Sequence, residues 1–300
     1  MKNRAELNTE KQNVRSKDID SLPVDEILKL INKEDMTVAH AVEQSIPEIG
    51  QVVKLTTSSL SSGGRVFYVG AGTSGRLGVL DASEIPPTFS ASKNCFIGII
   101  AGGDSALRNS VEGAEDDFDQ ARYDLQDYKL NHNDVLIGIS CSGAAKYVIS
   151  ALEYAEEKGA KTVYIITNPN PFKSTKVTIL VMVDTGPEIV TGSTRMKAGT
   201  ATKMILNMIS TATMISLGKV YGNLMVDLMA VNEKLLDRGS RIIAQVTKLN
   251  YQDAKKKLLE AEKSVKIAIV MEILNCSIGR AKRILAKEGG FLRRIIKNEK

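Results

Sequence analysis

Between residues 65 and 183 the chain alternates short, continuously apolar runs with longer amphipathic stretches. The runs are RVFYV (65–69), CFIGII (95–100), DVLIGIS (134–140), TVYIIT (162–167) and TILVMV (178–183). A run apolar at every position, rather than at every second one, belongs to a strand buried on both faces. Amphipathic segments near 105–127 and 144–158 supply crossover helices, the second closed by Gly159. The pattern predicts an α/β fold, a three-layer α/β/α sandwich around a five-stranded parallel sheet.

Outside that block the periodicity changes. Residues 1–50 are polar and helical in pieces, with Val24, Ile27, Leu28 and Ile31 at helical spacing. A long helix from about Gly192 to Gly218 is apolar over most of its circumference, which suits burial in a core or against a partner chain. From Leu235 onward several short helices follow, with a Gly289–Gly290 turn between the last two. The chain therefore divides into an N-terminal helical arm (1–50), an α/β domain (51–222) and a small C-terminal helical domain (223–300).

Composition narrows the function classes. The 300 residues are 43% hydrophobic and 25% charged, ordinary values for a globular protein. The net charge of +5 is concentrated near the C-terminus, but there is no Trp and aromatics total 5%, so a nucleic-acid surface is not expected. Cys95, Cys141 and Cys276 are far apart and the histidines are His40 and His132, so no metal-ligand spacing occurs. An odd cysteine count without a recognisable leader points to a reducing cytoplasm, and no apolar run reaches membrane-spanning length.

The candidate chemistry begins at YVGAGTSGRLGVLDASEIPPTF (68–89), where Gly70, Gly72 and Gly75 spell G-x-G-x-x-G. A dinucleotide fold needs a long helix here, then a strand ending in an acid. Pro86 and Pro87 are expected to stop the helix within about three turns. The next run ends in Ala101-Gly102-Gly103, with no acid until Asp104. Thr73 and Ser74 place hydroxyls among exposed N–H groups, an arrangement that suits a single phosphate. A second strand-to-helix turn carries Ser140 and Ser142 before Gly143. Each loop alone fits simple helix capping; together they favour one phosphate-bearing ligand at the carboxyl ends of the strands.

Two further clusters carry charge. Glu84 precedes Ile85-Pro86-Pro87 in an otherwise apolar segment, which reads as a rigid turn near the first loop. Glu112 and Glu115 are one helical turn apart on the expected helix after the second strand, and spacing does not choose between them. A buried acid paired with an ionised one suits acid–base chemistry on a sugar. The third cluster gathers Glu188, Ser193, Thr194, Arg195 and Lys197 at the start of the long helix. Cations at a helix N-terminus oppose its dipole, so Arg195 and Lys197 are expected to meet a phosphate or a carboxylate, from this chain or a neighbouring one.

These loops resemble the sugar isomerase (SIS) fold. The segments GAGTSGRLGVLDASEIPPTF, AGGDSALRNSVEGAEDD, VTGSTRMKAGTATKMILNMIST and GKVYGNLMVDLMAVNEKL are similar to the N-acetylmuramic acid 6-phosphate etherase family. The resemblance extends over essentially the whole chain. It implies a cofactor-independent, homodimeric lyase of cell-wall sugar recycling, which removes D-lactate from a phosphosugar and leaves N-acetylglucosamine 6-phosphate. Its catalytic glutamates match Glu84 and Glu115, and its phosphosugar site matches Gly72, Thr73, Ser74, Ser140, Ser142, Glu188, Ser193, Arg195 and Lys197. One departure stands out: the family commonly reads ASGRTPYV where this chain reads CSGAAKYV. Ala144 and Ala145 thus remove side-chain groups near the phosphate, and Lys146 is placed to supply charge in their stead. A non-catalytic phosphohexose-binding regulator and an aldose–ketose isomerase are the competing readings; neither product set includes lactate.

Overall fold

Five parallel strands lie in the order β2-β1-β3-β4-β5, formed by β1 (Val66–Gly70), β2 (Phe96–Ile100), β3 (Val135–Ile139), β4 (Lys161–Ile166) and β5 (Ile179–Met182). Each falls inside or within one residue of its apolar run. The register pairs Phe67 with Leu136 and Val69 with Gly138, so the side chains of Phe67, Val69 and Leu136 share one face of the sheet. The computed structural model describes residues 4–228, 230 and 232–297; the last three residues of the basic C-terminal segment lie outside them.

Helices cover both faces of the sheet. Phe67, Leu136, Tyr164 and Ile166 pack against α5 (Phe118–Gln126) and α6 (Lys146–Glu157), through Leu125, Tyr147, Val148 and Leu152. Gly138 lets α6 come close: a Cβ there would stand 2.8 Å from Val148. The opposite face carries Tyr68 and Ile139, which back onto Gly78 of α3 (Gly72–Phe89). Burying each such Leu, Ile or Phe contributes about 1.5–3 kcal/mol. Ahead of the sheet, four short 3-10 turns between Arg4 and Ser21 precede α1 (Val24–Glu43) and α2 (Ile46–Ser61).

The helix expected over 105–127 is broken. It consists of a short α4 (Ser105–Arg108), a loop, a 3-10 turn at Ala114–Asp116, and α5. Asn109 is extended and Gly113 is left-handed (φ +76°), so neither continues a helix. Asp117 restarts it by accepting a hydrogen bond from the Gln120 amide (3.0 Å). The long helix likewise begins later than Gly192, as α7 (Lys197–Ser216).

The chain separates into two units, one of residues 1–83 and 94–210, the other of residues 84–93 and 211–300. The second unit holds α8 (Glu233–Thr247), α9 (Tyr251–Glu260), α10 (Val265–Ile273), α11 (Ile278–Lys287) and α12 (Leu292–Lys297). Its core centres on Val226, Ile243, Leu258, Val265, Ile269, Leu285 and Leu292. Asn232, Asn250, Ser264 and Ser277 cap α8 to α11, each accepting from the amide three residues on. Gly289 and Gly290 make the expected turn, both with positive φ.

Candidate active site

The first loop owes its shape to close backbone contact. A Cβ at Gly75 would stand 2.6 Å from the Gly70 carbonyl oxygen, so α3 starts hard against the end of β1. Gly72, at φ +52°, makes the turn. Thr73 and the nearly buried Ser74 then project their hydroxyls at the start of the helix. The second loop is tied internally: the Gly143 amide donates to the Ser140 carbonyl (3.1 Å) and the Ala144 amide to Ser142 Oγ (3.2 Å). No side chain caps the N-terminus of α6.

The two loops meet, with Ser74 Oγ 3.6 Å from Cys141 Sγ. They open on one crevice of about 260 Å³, whose walls include Gly72, Thr73, Ser74, Ser140, Ser142 and Glu115. Hydroxyls, an uncapped helix N-terminus and a carboxylate thus face one space. The first two suit a phosphate and the last suits proton transfer. Burial pushes the neighbouring Cys141 thiol up, so it stays protonated near neutrality.

Glu115 sits on the 3-10 turn, and its carboxylate has no hydrogen-bond or ion-pair partner among the described residues. Glu112 lies in the preceding loop and borders adjoining hollows instead. Glu84 is not in a rigid turn. It is exposed on α3, which continues through Pro86 and Pro87 to Phe89. The prolines occupy the last turn, where the helix continues although neither has an N–H to give the carbonyl four residues earlier. Glu84 belongs to the second unit and is not among the residues lining the serine crevice.

The third cluster has found its partners within the chain. Glu188 is fully buried, and its two oxygens accept from the backbone amides of Lys197 (2.9 Å) and Ala198 (3.0 Å), capping α7. Burial pushes the Glu188 carboxyl up, against the pull of those two donors. The Lys197 ammonium meets the Glu34 carboxylate at 2.8 Å, so the anion it faces is a side chain of α1. Arg195 is exposed and Ser193 half-buried; neither lines the crevice, whereas Thr194 between them does. Lys146 does not line it either, and pairs with Asp116 at 3.3 Å.

Two crevice residues escaped the sequence reading: Leu7 and Glu10, from the N-terminal arm. The arm is fastened by contacts far apart in sequence. Asn168 Nδ2 donates to Thr9 Oγ1 (3.1 Å), the Gly192 amide to the Thr9 carbonyl (3.2 Å), and Ser16 Oγ to the Ile189 carbonyl (2.7 Å).

A doubly covered parallel sheet with hydroxyl-rich loops at its strand ends is the arrangement of a phosphosugar-binding SIS domain. Residues 48–156 match the family model described as the glucokinase regulatory protein N-terminal SIS domain. A phosphoheptose isomerase from Neisseria gonorrhoeae is a more distant likeness, with TM-score 0.49, 16% identity, and 64% of this chain and 98% of that one covered. Over nearly its whole length the chain is 50% identical to the N-acetylmuramic acid 6-phosphate etherase of Oceanobacillus iheyensis, covering 96% of this chain and 98% of that protein. The etherase of Rhizobium rhizogenes is also 50% identical, over 97% of this chain and 95% of the relative. The chain belongs to the N-acetylmuramic acid 6-phosphate etherase family.

Proposed function

We propose that the protein is a lyase that cleaves the D-lactyl ether of N-acetylmuramic acid 6-phosphate, giving N-acetylglucosamine 6-phosphate and D-lactate. The observation that carries this reading is the unpartnered Glu115 carboxylate in the same crevice as Ser74, Ser140 and Ser142. A binding-only role would need the hydroxyls but not the carboxylate.

The chemistry follows from the substrate. An ether oxygen at C3 is a poor leaving group, and the C2 proton is acidic only once C1 is an aldehyde. Glu115 takes the C2 proton, and Glu84, by family correspondence, protonates the departing lactate oxygen. Water then adds at C3 of the unsaturated aldehyde, and the same two groups act in reverse protonation states. Gly72, Thr73, Ser74, Ser140 and Ser142 hold the phosphate, with the N-terminus of α6 beside them. Glu188 and Lys197 act from behind, by fixing the start of α7 next to Thr194.

We further propose a cytoplasmic homodimer. Supporting this, α1 exposes Val24, Leu28 and Met36, and among the described residues no helix is long and apolar enough to cross a membrane. The direct test of the activity is incubation with N-acetylmuramic acid 6-phosphate and assay for D-lactate. Release of lactate supports the reading; a ketose product, or binding without turnover, refutes it.

A further inference from the structure

The reaction just proposed needs an open aldehyde, yet a hexosamine 6-phosphate in water is mostly a closed ring. Some group has to act at the anomeric oxygen, one bond from the carbon that Glu115 deprotonates. Glu84 being committed to the lactate oxygen, the first candidates are therefore the side chains that share the crevice with Glu115. The ionisable side chains lining it are Glu10, Glu115 and Cys141. Cys141 is held as a neutral thiol by burial, and Glu115 is committed to C2. Glu10 remains.

Its setting fits such a task. Several polar neighbours of Glu10 along the arm are engaged. Asn8 donates to Asp184 (2.9 Å), Thr9 is bonded to Asn168 and Gly192, and Asn13 donates to Glu34 (3.0 Å). The Glu10 carboxylate has no hydrogen-bond or ion-pair partner among the described residues. It lies against Gly192, where an added Cβ would come within 3.2 Å of Oε2. A fastened backbone thus presents a free carboxylate to the ligand space, as pre-organised catalysis requires.

We propose that Glu10 opens the sugar ring, a catalytic role in the lyase reaction that rests on the function proposed above. The Glu10 carboxylate takes the proton from the C1 hydroxyl, the C1–O5 bond breaks as the C1=O1 bond forms, and O5 receives the proton back from Glu10. No electrons are gained or lost, and the carboxylate is regenerated.

The test compares two substrates in wild type, Glu10→Gln and Glu115→Gln. One is N-acetylmuramic acid 6-phosphate. The other is its 4,5-dideoxy analogue, which lacks both hydroxyls that close a ring and so stays an open aldehyde. Glu10→Gln should lower turnover of the natural sugar by roughly 10²–10⁴-fold, the usual span for a lost acid–base group, and leave turnover of the analogue at the wild-type rate. Glu115→Gln should fail on both. Glu10 is exposed and unpartnered, so the variant should keep the wild-type melting temperature. Equal slowing of both substrates by Glu10→Gln, or of neither, would overturn the assignment. So would a wild-type enzyme that accepts the sugar but not the analogue, because the open aldehyde would then not be the reacting form. If wild type releases lactate from neither substrate, the proposed function itself fails, and that is visible before any variant is compared.

Discussion

The Lys197 ammonium lies 2.8 Å from Glu34 Oε2, with the two side chains only 3% and 5% exposed. The same carboxylate also accepts from Arg15 (2.7 Å) and Asn13 (3.0 Å), so it joins the N-terminal arm, α1 and the start of α7. Burial by itself raises the Glu34 carboxyl, but the hydrogen bonds from Lys197, Arg15 and Asn13 outweigh it and hold it below its usual value. A depressed carboxylate stabilises the fold above its unfolded pKa, and the stabilisation is lost as pH falls through the folded value. Glu34→Gln leaves Lys197 buried without its counter-charge, a change that costs about 3–5 kcal/mol at neutral pH. Urea unfolding should find that deficit at pH 7 and a smaller one below about pH 4.3. A deficit independent of pH would contradict the ion-pair account.

The structure separates two glutamates that spacing alone left equivalent. Glu115 faces the serine crevice and Glu112 does not. Glu115→Gln and Glu84→Gln should each lower turnover by roughly 10²–10⁴-fold while the protein still binds phosphosugar. Glu112→Gln should lose far less. Exchange of the C2 proton with solvent sharpens the comparison, because the Glu84 variant should retain it and the Glu115 variant should not. Exchange abolished by Glu112→Gln but not by Glu115→Gln would move the base to Glu112.

Phosphate affinity is expected to depend on Ser142, whose hydroxyl lines the crevice and accepts from the Ala144 amide. Ser142→Ala should mainly raise KM, by the loss of one charge-assisted hydrogen bond of roughly 1.5–3 kcal/mol. Lys146→Ala should change KM little, since that ammonium pairs with Asp116 outside the crevice. The opposite ranking of the two variants would move the phosphate from the serine hydroxyls to Lys146.

The sheet was legible because its strands leave unbroken apolar runs, and all five carried one, including the partly exposed edge strand β5. The serine loops were legible for a related reason: short-range turn chemistry is written locally. Glu10 was not. Its place depends on Thr9 bonding to Asn168 and Gly192, far along the chain, and no local pattern records such contacts. Lys197 was read correctly as seeking an anion, but its partner Glu34 lies 163 residues away. Pro86 and Pro87 misled the reading of Glu84, since proline weakens a helix without forbidding its last turn.

The bond that breaks can be read from where solvent atoms finish. The reaction with N-acetylmuramic acid 6-phosphate is run in water enriched in oxygen-18 and deuterium, and both products are analysed by mass spectrometry and NMR. Elimination followed by hydration places the heavy oxygen on C3 of N-acetylglucosamine 6-phosphate and deuterium on C2, and leaves the lactate oxygens unlabelled. Heavy oxygen in the lactate hydroxyl, with no deuterium at C2, would mean that water attacked the lactyl carbon and would contradict the lyase account.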